Sequence, residues 1–215
     1  MNHPDSMTVV AEQFEDAQQQ RETATLGMWT FLATEVLFFG GLFLAYAVYR
    51  HVYPAGFAMG SRQTDLFFGT FNTALLLTSS LTMALAVHSA RNDRMKPVGW
   101  FLFLTVFLAI GFVIVKGFEY RKDILNQLVP GPGLAPFLPA QAGIFFWLYW
   151  AMTGLHALHV LIGIGVLSVM TWLTTRRRFS SRYHTPIEVA GLYWHFVDVV
   201  WIFLYPLLYL IDRHG

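Results

Sequence analysis

Five side chains with chemistry to offer lie inside strongly apolar stretches: Glu35, His156, His159, His195 and Asp198. Carboxyls and imidazoles in such surroundings can carry a proton, hold a metal, or join helices by hydrogen bonds. Their spacing bears on the choice. His156 and His159 stand three residues apart, as do His195 and Asp198, so on a helix each pair shares one face. Carboxylate-bridged di-metal centres in bundles use Glu-x-x-His pairs with further Glu residues from neighbouring helices. Here HxxH and HxxD accompany one central Glu, which leaves the carboxylate count short. A bis-histidine haem would need two imidazoles facing across a ring, and His156 with His195 is the pair to consider. The remaining reading has these side chains satisfying one another and backbone carbonyls between helices, with a proton- or lipid-related role beside it. No nucleophile–base constellation, phosphate-cradling glycine loop or nucleotide fingerprint is present, so no catalytic residue and no metal ligand set is assigned.

The elements that must position these groups are membrane spans. Of 215 residues, 55% are hydrophobic, 17% aromatic and 13% charged, whereas soluble domains carry roughly 25% charged residues. That deficit places the chain in the membrane class. A formal net charge of +1 gives no electrostatic basis for binding nucleic acid. With no cysteine, disulfides, thiolate metal sites, iron–sulfur clusters and CxxCH haem attachment are excluded. The first 24 residues are polar and acidic, with Glu12, Glu15, Asp16 and Glu22. They lack the basic start and short apolar core of a cleavable signal and read as a solvated tail.

Five apolar segments follow, at about 25–49, 66–89, 98–118, 141–173 and 187–211, each reaching the roughly 20 residues that a helix needs to cross a bilayer. The expected fold is an all-α bundle of five transmembrane helices over residues 25–215. Between the third and fourth spans, VPGPGLAPFLP (129–139) interrupts any helix and reads as an ordered external loop. Five spans put the termini on opposite sides. The N-terminal tail with the second and fourth connections carries eight Lys/Arg, against six on the other side. The short connections weigh most, so the N-terminus is expected inside and the C-terminus outside.

Glu35 falls about ten residues into the first span, where a bare carboxylate is strongly disfavoured. It should be neutral or partnered, either as a joint between helices or as a proton-handling group. Gly40-Gly41 on the same helix permits a close backbone approach. In the second span Asn72, Thr73, Thr78, Ser79, Ser80 and Thr82 suit interhelical hydrogen bonding. At the end of the third, Lys116, Glu119, Arg121, Lys122 and Asp123 read as a solvated ion-pair network. Glu119 and Arg121 are then candidates for contact with a partner or a lipid head group. Trp147, Tyr149 and Trp150 suit the aromatic interfacial belt. Arg176, Arg177 and Arg178 would favour anionic head groups at the opposite boundary.

Several strings, in order and spanning roughly residues 26–210, resemble one family. GMWTFLATEVLFFGGLFLAY carries Glu35; FNTALLLTSSLTMALAVHS follows; KGFEYRKDI carries Glu119 and Tyr120. TGLHALHVLIG carries His156 and His159, and GLYWHFVDVVWIFLY carries Trp194, His195, Asp198 and Trp201. Together they resemble subunit III of the haem-copper respiratory oxidases, in a short five-helix bacterial form. The resemblance implies a subunit of the bacterial inner membrane that binds no haem or copper itself. Those centres lie in partner subunits: catalytic subunit I, beside which this one packs, and subunit II. It also implies bound phospholipid and a part in sustaining proton uptake during electron transfer from cytochrome c to oxygen. The longer form has seven helices, so the lipid cleft built with the extra pair would need two helices from another, small subunit. Other readings are a quinol oxidase or nitric oxide reductase-associated homologue, a small haem- or metal-binding membrane enzyme, and a proton-conducting protein built on Glu35.

Overall fold

The computed structural model describes residues 13–92, 94–176 and 184–211; Arg177 and Arg178 lie outside the described residues. The described residues form α1 (Ala17–Val52), α2 (Pro54–Gln63), α3 (Leu66–Arg91), α4 (Met95–Leu125), α5 (Ala142–Thr175) and α6 (Thr185–Tyr205), the last running into a π-helical turn (Pro206–Leu210). Five helices are long and apolar enough to cross a membrane: α1, α3, α4, α5, and α6 with its turn. The fold is therefore an all-α five-span bundle. Asp16 opens α1 by accepting from the Gln19 amide at 2.7 Å, as an N-cap should.

The connection over 50–64, which reads as a polar link in the sequence, instead contains α2. Pro54 starts it, at a position where a missing N–H is no loss. Gly56, Phe57, Gly60 and Ser61 form its buried face. The Ser61 hydroxyl lies on the Leu208 and Ile211 carbonyls at 3.1 and 2.8 Å, so α2 closes over the C-terminal turn.

The seam between α3 and α6 explains the hydroxyl-rich second span. Thr70, Thr73 and Ser79 each donate to a carbonyl of their own helix. Their oxygens are left as acceptors, and α6 supplies the donors. Tyr205 meets Thr70 at 2.7 Å, Trp201 Nε1 meets Thr73 at 3.0 Å, and Trp194 Nε1 meets Ser79 at 3.2 Å. On the other side of α3, Thr82 and Thr105 of α4 share a buried hydroxyl contact of 2.7 Å. Each such bond contributes on the order of 0.6–2 kcal/mol in a membrane.

Close approach occurs at glycines other than those expected. A Cβ on Gly40 or Gly41 would meet nothing within 4 Å, because both sit on an exposed face of α1. At Gly163 of α5 a Cβ would stand 2.6 Å from the buried Trp194 ring. The long loop over 126–141 is ordered through its own backbone: Ala135 donates to the Gln127 carbonyl at 3.0 Å. Trp150 Nε1 donates to Leu128 at 3.1 Å, and Leu128, Ala135 and Leu138 are buried.

Asp65 ties two connections together. It caps α3 by accepting from the Phe67 and Phe68 amides and forms an ion pair with Lys122. Partial burial alone would raise its carboxyl, but the Lys122 hydrogen bond and the two amides outweigh that and hold it below its usual 3.8. A carboxyl depressed on folding adds stability that is present above its unfolded pKa and lost as pH falls through the folded one. Asp65→Ala should therefore cost about 1 kcal/mol at neutral pH. The gap between variant and parent in thermal unfolding should close as pH falls below 3.8.

Candidate functional site

Glu35 of α1 and His159 of α5 meet near the middle of the bundle, Oε2 to Nε2 at 3.2 Å, with side chains 17% and 12% exposed. His159 Nδ1 lies 2.8 Å from the Leu155 carbonyl. A carbonyl can only accept, so Nδ1 carries its hydrogen and Nε2 is the atom left for Glu35. The distance is that of an ion pair, although Oε2 lacks an aligned hydrogen bond. Tyr193 fixes the helix locally by donating to the His159 carbonyl at 2.9 Å, and Phe39 packs edge-on to the imidazole at 5.3 Å.

His156, one turn away on α5, does not join this pair. It is fully buried against Phe112 and Trp201, with ring centroids at 5.5 and 5.0 Å, which encloses it in aromatic packing. His195 turns to α3, where its Nδ1 lies 2.8 Å from Ser80 Oγ. Asp198 is buried on the same side of α6, with Ser80 as its polar neighbour but no aligned hydrogen bond. The two α5 histidines therefore split between different neighbours, whereas His195 and Asp198 share a face toward Ser80 of α3. Among the described residues, no three His, Asp or Glu side chains converge as a metal-binding group.

A second polar cluster lies at the far end of α4, and here the solvated network expected from the sequence is overturned. Lys116, Glu119 and Asp123 are 2%, 0% and 4% exposed, whereas Arg121 and Lys122 face outward. Glu119 is thus unavailable for contact with a partner or a lipid. The reason is register: positions 116, 119 and 123 follow the i, i+3, i+7 rhythm of one helical face, and that face turns toward α5 and the π turn. Lys116 Nζ donates to Glu119 Oε2 at 3.0 Å, to Tyr149 at 3.1 Å and to Tyr209 at 2.7 Å, which saturates the ammonium. Tyr209 donates to Glu119 Oε1 at 2.7 Å. The Tyr149 phenol faces Glu119 Oε1 at 2.8 Å and Asp123 Oδ2 at 2.9 Å, so one hydrogen is shared between two carboxyl groups. Tyr149, expected in the interfacial belt, is instead the hub of this network, while Trp147 remains 63% exposed.

The network joins structure rather than offering a surface. Removing one partner of a buried ion pair costs about 3–5 kcal/mol, because the other charge is left uncompensated. Lys116→Met should therefore destabilise the chain by that amount in denaturant unfolding. Lys116→Met combined with Glu119→Gln should recover most of the loss. Equal losses in the single and double variants would mean that packing volume, not charge pairing, sets the cost.

Residues 9–212 match the model of the family described as cytochrome c oxidase subunit III. The cytochrome c oxidase subunit 3 of Thermostichus vulcanus is 32% identical over 198 residues, covering 92% of each chain. The subunit 3 proteins of Oncorhynchus clarkii and Drosophila melanogaster are each 35% identical, over 85% of this chain and 67% of their own length. The matched region holds Glu35, both α5 histidines, the Lys116 network and the α3–α6 seam. By this match over nearly its whole length, the chain belongs to the cytochrome c oxidase subunit III family.

Proposed function

We propose that the chain is the non-redox third subunit of a bacterial haem-copper terminal oxidase. In this reading it packs beside subunit I, with subunit II in the same complex, in the inner membrane. Its work is to support assembly, to hold phospholipid, and to keep proton uptake by subunit I going through repeated turnovers. Haem and copper belong to the partner subunits. The Lys/Arg distribution favours a cytoplasmic N-terminus and a periplasmic C-terminus. The family match supports the assignment to an oxidase complex. The observation that carries the proton-related part is the Glu35–His159 contact of 3.2 Å. It joins two spans at a depth where an ionisable group is expensive to keep.

Glu35→Gln in the assembled oxidase tests this reading. The substitution preserves shape and most hydrogen bonding but removes the titrating group. Assembly and the haem spectrum of the complex should be unchanged. Turnover should fall away faster than in the parent enzyme during sustained assays, most at alkaline pH where protons are scarce. Identical time courses across pH would reduce Glu35 to a helix joint and remove the proton-related role.

A further inference from the structure

At the end where α4 begins and α5 finishes, a groove of about 790 Å³ opens between the two helices. Its floor is set by Gly99, where a Cβ would reach Thr174 Cγ2 at an ordinary 3.5 Å. The α5 wall presents Thr171 and Thr174, and both hydroxyls donate to carbonyls of their own helix. That wall therefore offers methyl groups and oxygen lone pairs, not hydrogens. The α4 wall carries Trp100 stacked on Phe103, centroids 5.8 Å apart, with 63% and 50% of their surfaces exposed. Lys96 is the charged residue of the lining, exposed and without an ion-pair partner among the described residues. Arg94 precedes it, and Arg176 follows the α5 wall with its guanidinium 5.1 Å from the Trp172 ring.

We propose that this groove binds an anionic phospholipid, its phosphate on Lys96 and one acyl chain along Trp100 and Phe103. The proposal deepens the lipid-holding part of the function above and rests on that reading only for its membrane setting. The groove changes character along its length. Cationic groups stand at the helix ends, and the aromatic wall begins one turn deeper on α4. A phospholipid has the same order, with charge at one end and hydrocarbon beyond. A free phosphate would use the mouth and leave the aromatic wall bare. A partner helix would cover that wall but leave the Lys96 amine without a counter-charge at the polar boundary.

The test uses the full chain, delipidated in neutral detergent and titrated with dioleoyl phosphatidylglycerol or dioleoyl phosphatidylcholine, with bound lipid counted by native mass spectrometry. One phosphatidylglycerol should be retained in preference to phosphatidylcholine. Lys96→Gln should weaken phosphatidylglycerol about fivefold, the effect of one basic residue near an anionic lipid, and leave phosphatidylcholine unchanged. Lys96 is exposed, so that variant is not expected to disturb folding. Equal retention of both lipids, or indifference to Lys96→Gln, would overturn the proposal. So would displacement of the bound lipid by inorganic phosphate at matched concentration, since that defines a phosphate site. In the assembled oxidase, Thr175→Cys places a single thiol in a cysteine-free chain. Bound phosphatidylglycerol should shield it from a membrane-permeant maleimide, and delipidation should expose it. Shielding that survives delipidation would mean that a protein segment fills the groove, and the lipid assignment would fall. The purified-chain arms stand whether or not the oxidase assembles, so a failure of the subunit reading is seen separately.

Discussion

A lysine ammonium with 2% of its surface exposed governs how this bundle can be built. In a medium that supplies no water, such a group costs several kcal/mol unless each hydrogen finds a partner. Its partners come from three places: Glu119 on the same helix, Tyr149 on α5 and Tyr209 on the C-terminal turn. The ring of Tyr209 reaches its place because α3 has glycine at position 69, where a Cβ would stand 2.7 Å from that ring. Pro206 begins the π turn, which closes with the Ile211 amide on the Pro206 carbonyl at 3.2 Å. Three elements are tied together at one end of the molecule by a single cation, and α3 packs against the third.

The two polar clusters differ in how they can respond to their surroundings. The Lys116 network is saturated and enclosed by phenols, so a change of proton content there would disturb several helices together. The Glu35–His159 pair couples α1 to α5 through one contact, with both side chains partly exposed. A change at this pair would touch little beyond its own two side chains. The first geometry is the one suited to holding a scaffold. Around them, the α3–α6 seam supplies rigidity by letting serine and threonine serve two neighbours each, donating along the helix and accepting across it.

Much of the architecture was legible in the sequence because apolar length is a direct consequence of bilayer thickness. The five spans, the ordered loop near Pro130–Pro139 and the joining role of the second span's hydroxyls all follow from that solvent. What escaped depends on partners distant in the chain. Lys116 and Tyr209 are separated by 93 residues, and nothing local to KGFEYRKD distinguishes a solvated charge cluster from a buried one. The i, i+3, i+7 spacing within it is the available signal, but without Tyr149 and Tyr209 opposite it remains ambiguous. Helix α2 was hidden for another reason: PAGFAMGSRQ is short and glycine-rich, and it is stabilised by packing on α5 and the C-terminal turn. His195 found Ser80 and not another histidine, a choice of neighbour that no spacing along one helix could disclose.

The pairing of Lys116 with Glu119 also bears on how the chain is made. A ribosome delivers α4 to the membrane long before the segment holding Tyr209 has been synthesised. Through that interval the ammonium has neither α5 nor the C-terminal turn to lean on. Glu119 sits three residues along the same helix, so the two charges can offset one another on α4 itself. The helix thus carries its own counter-ion before α5 and the C-terminal turn are made. A lysine whose acidic partner lay on another helix would face that wait alone.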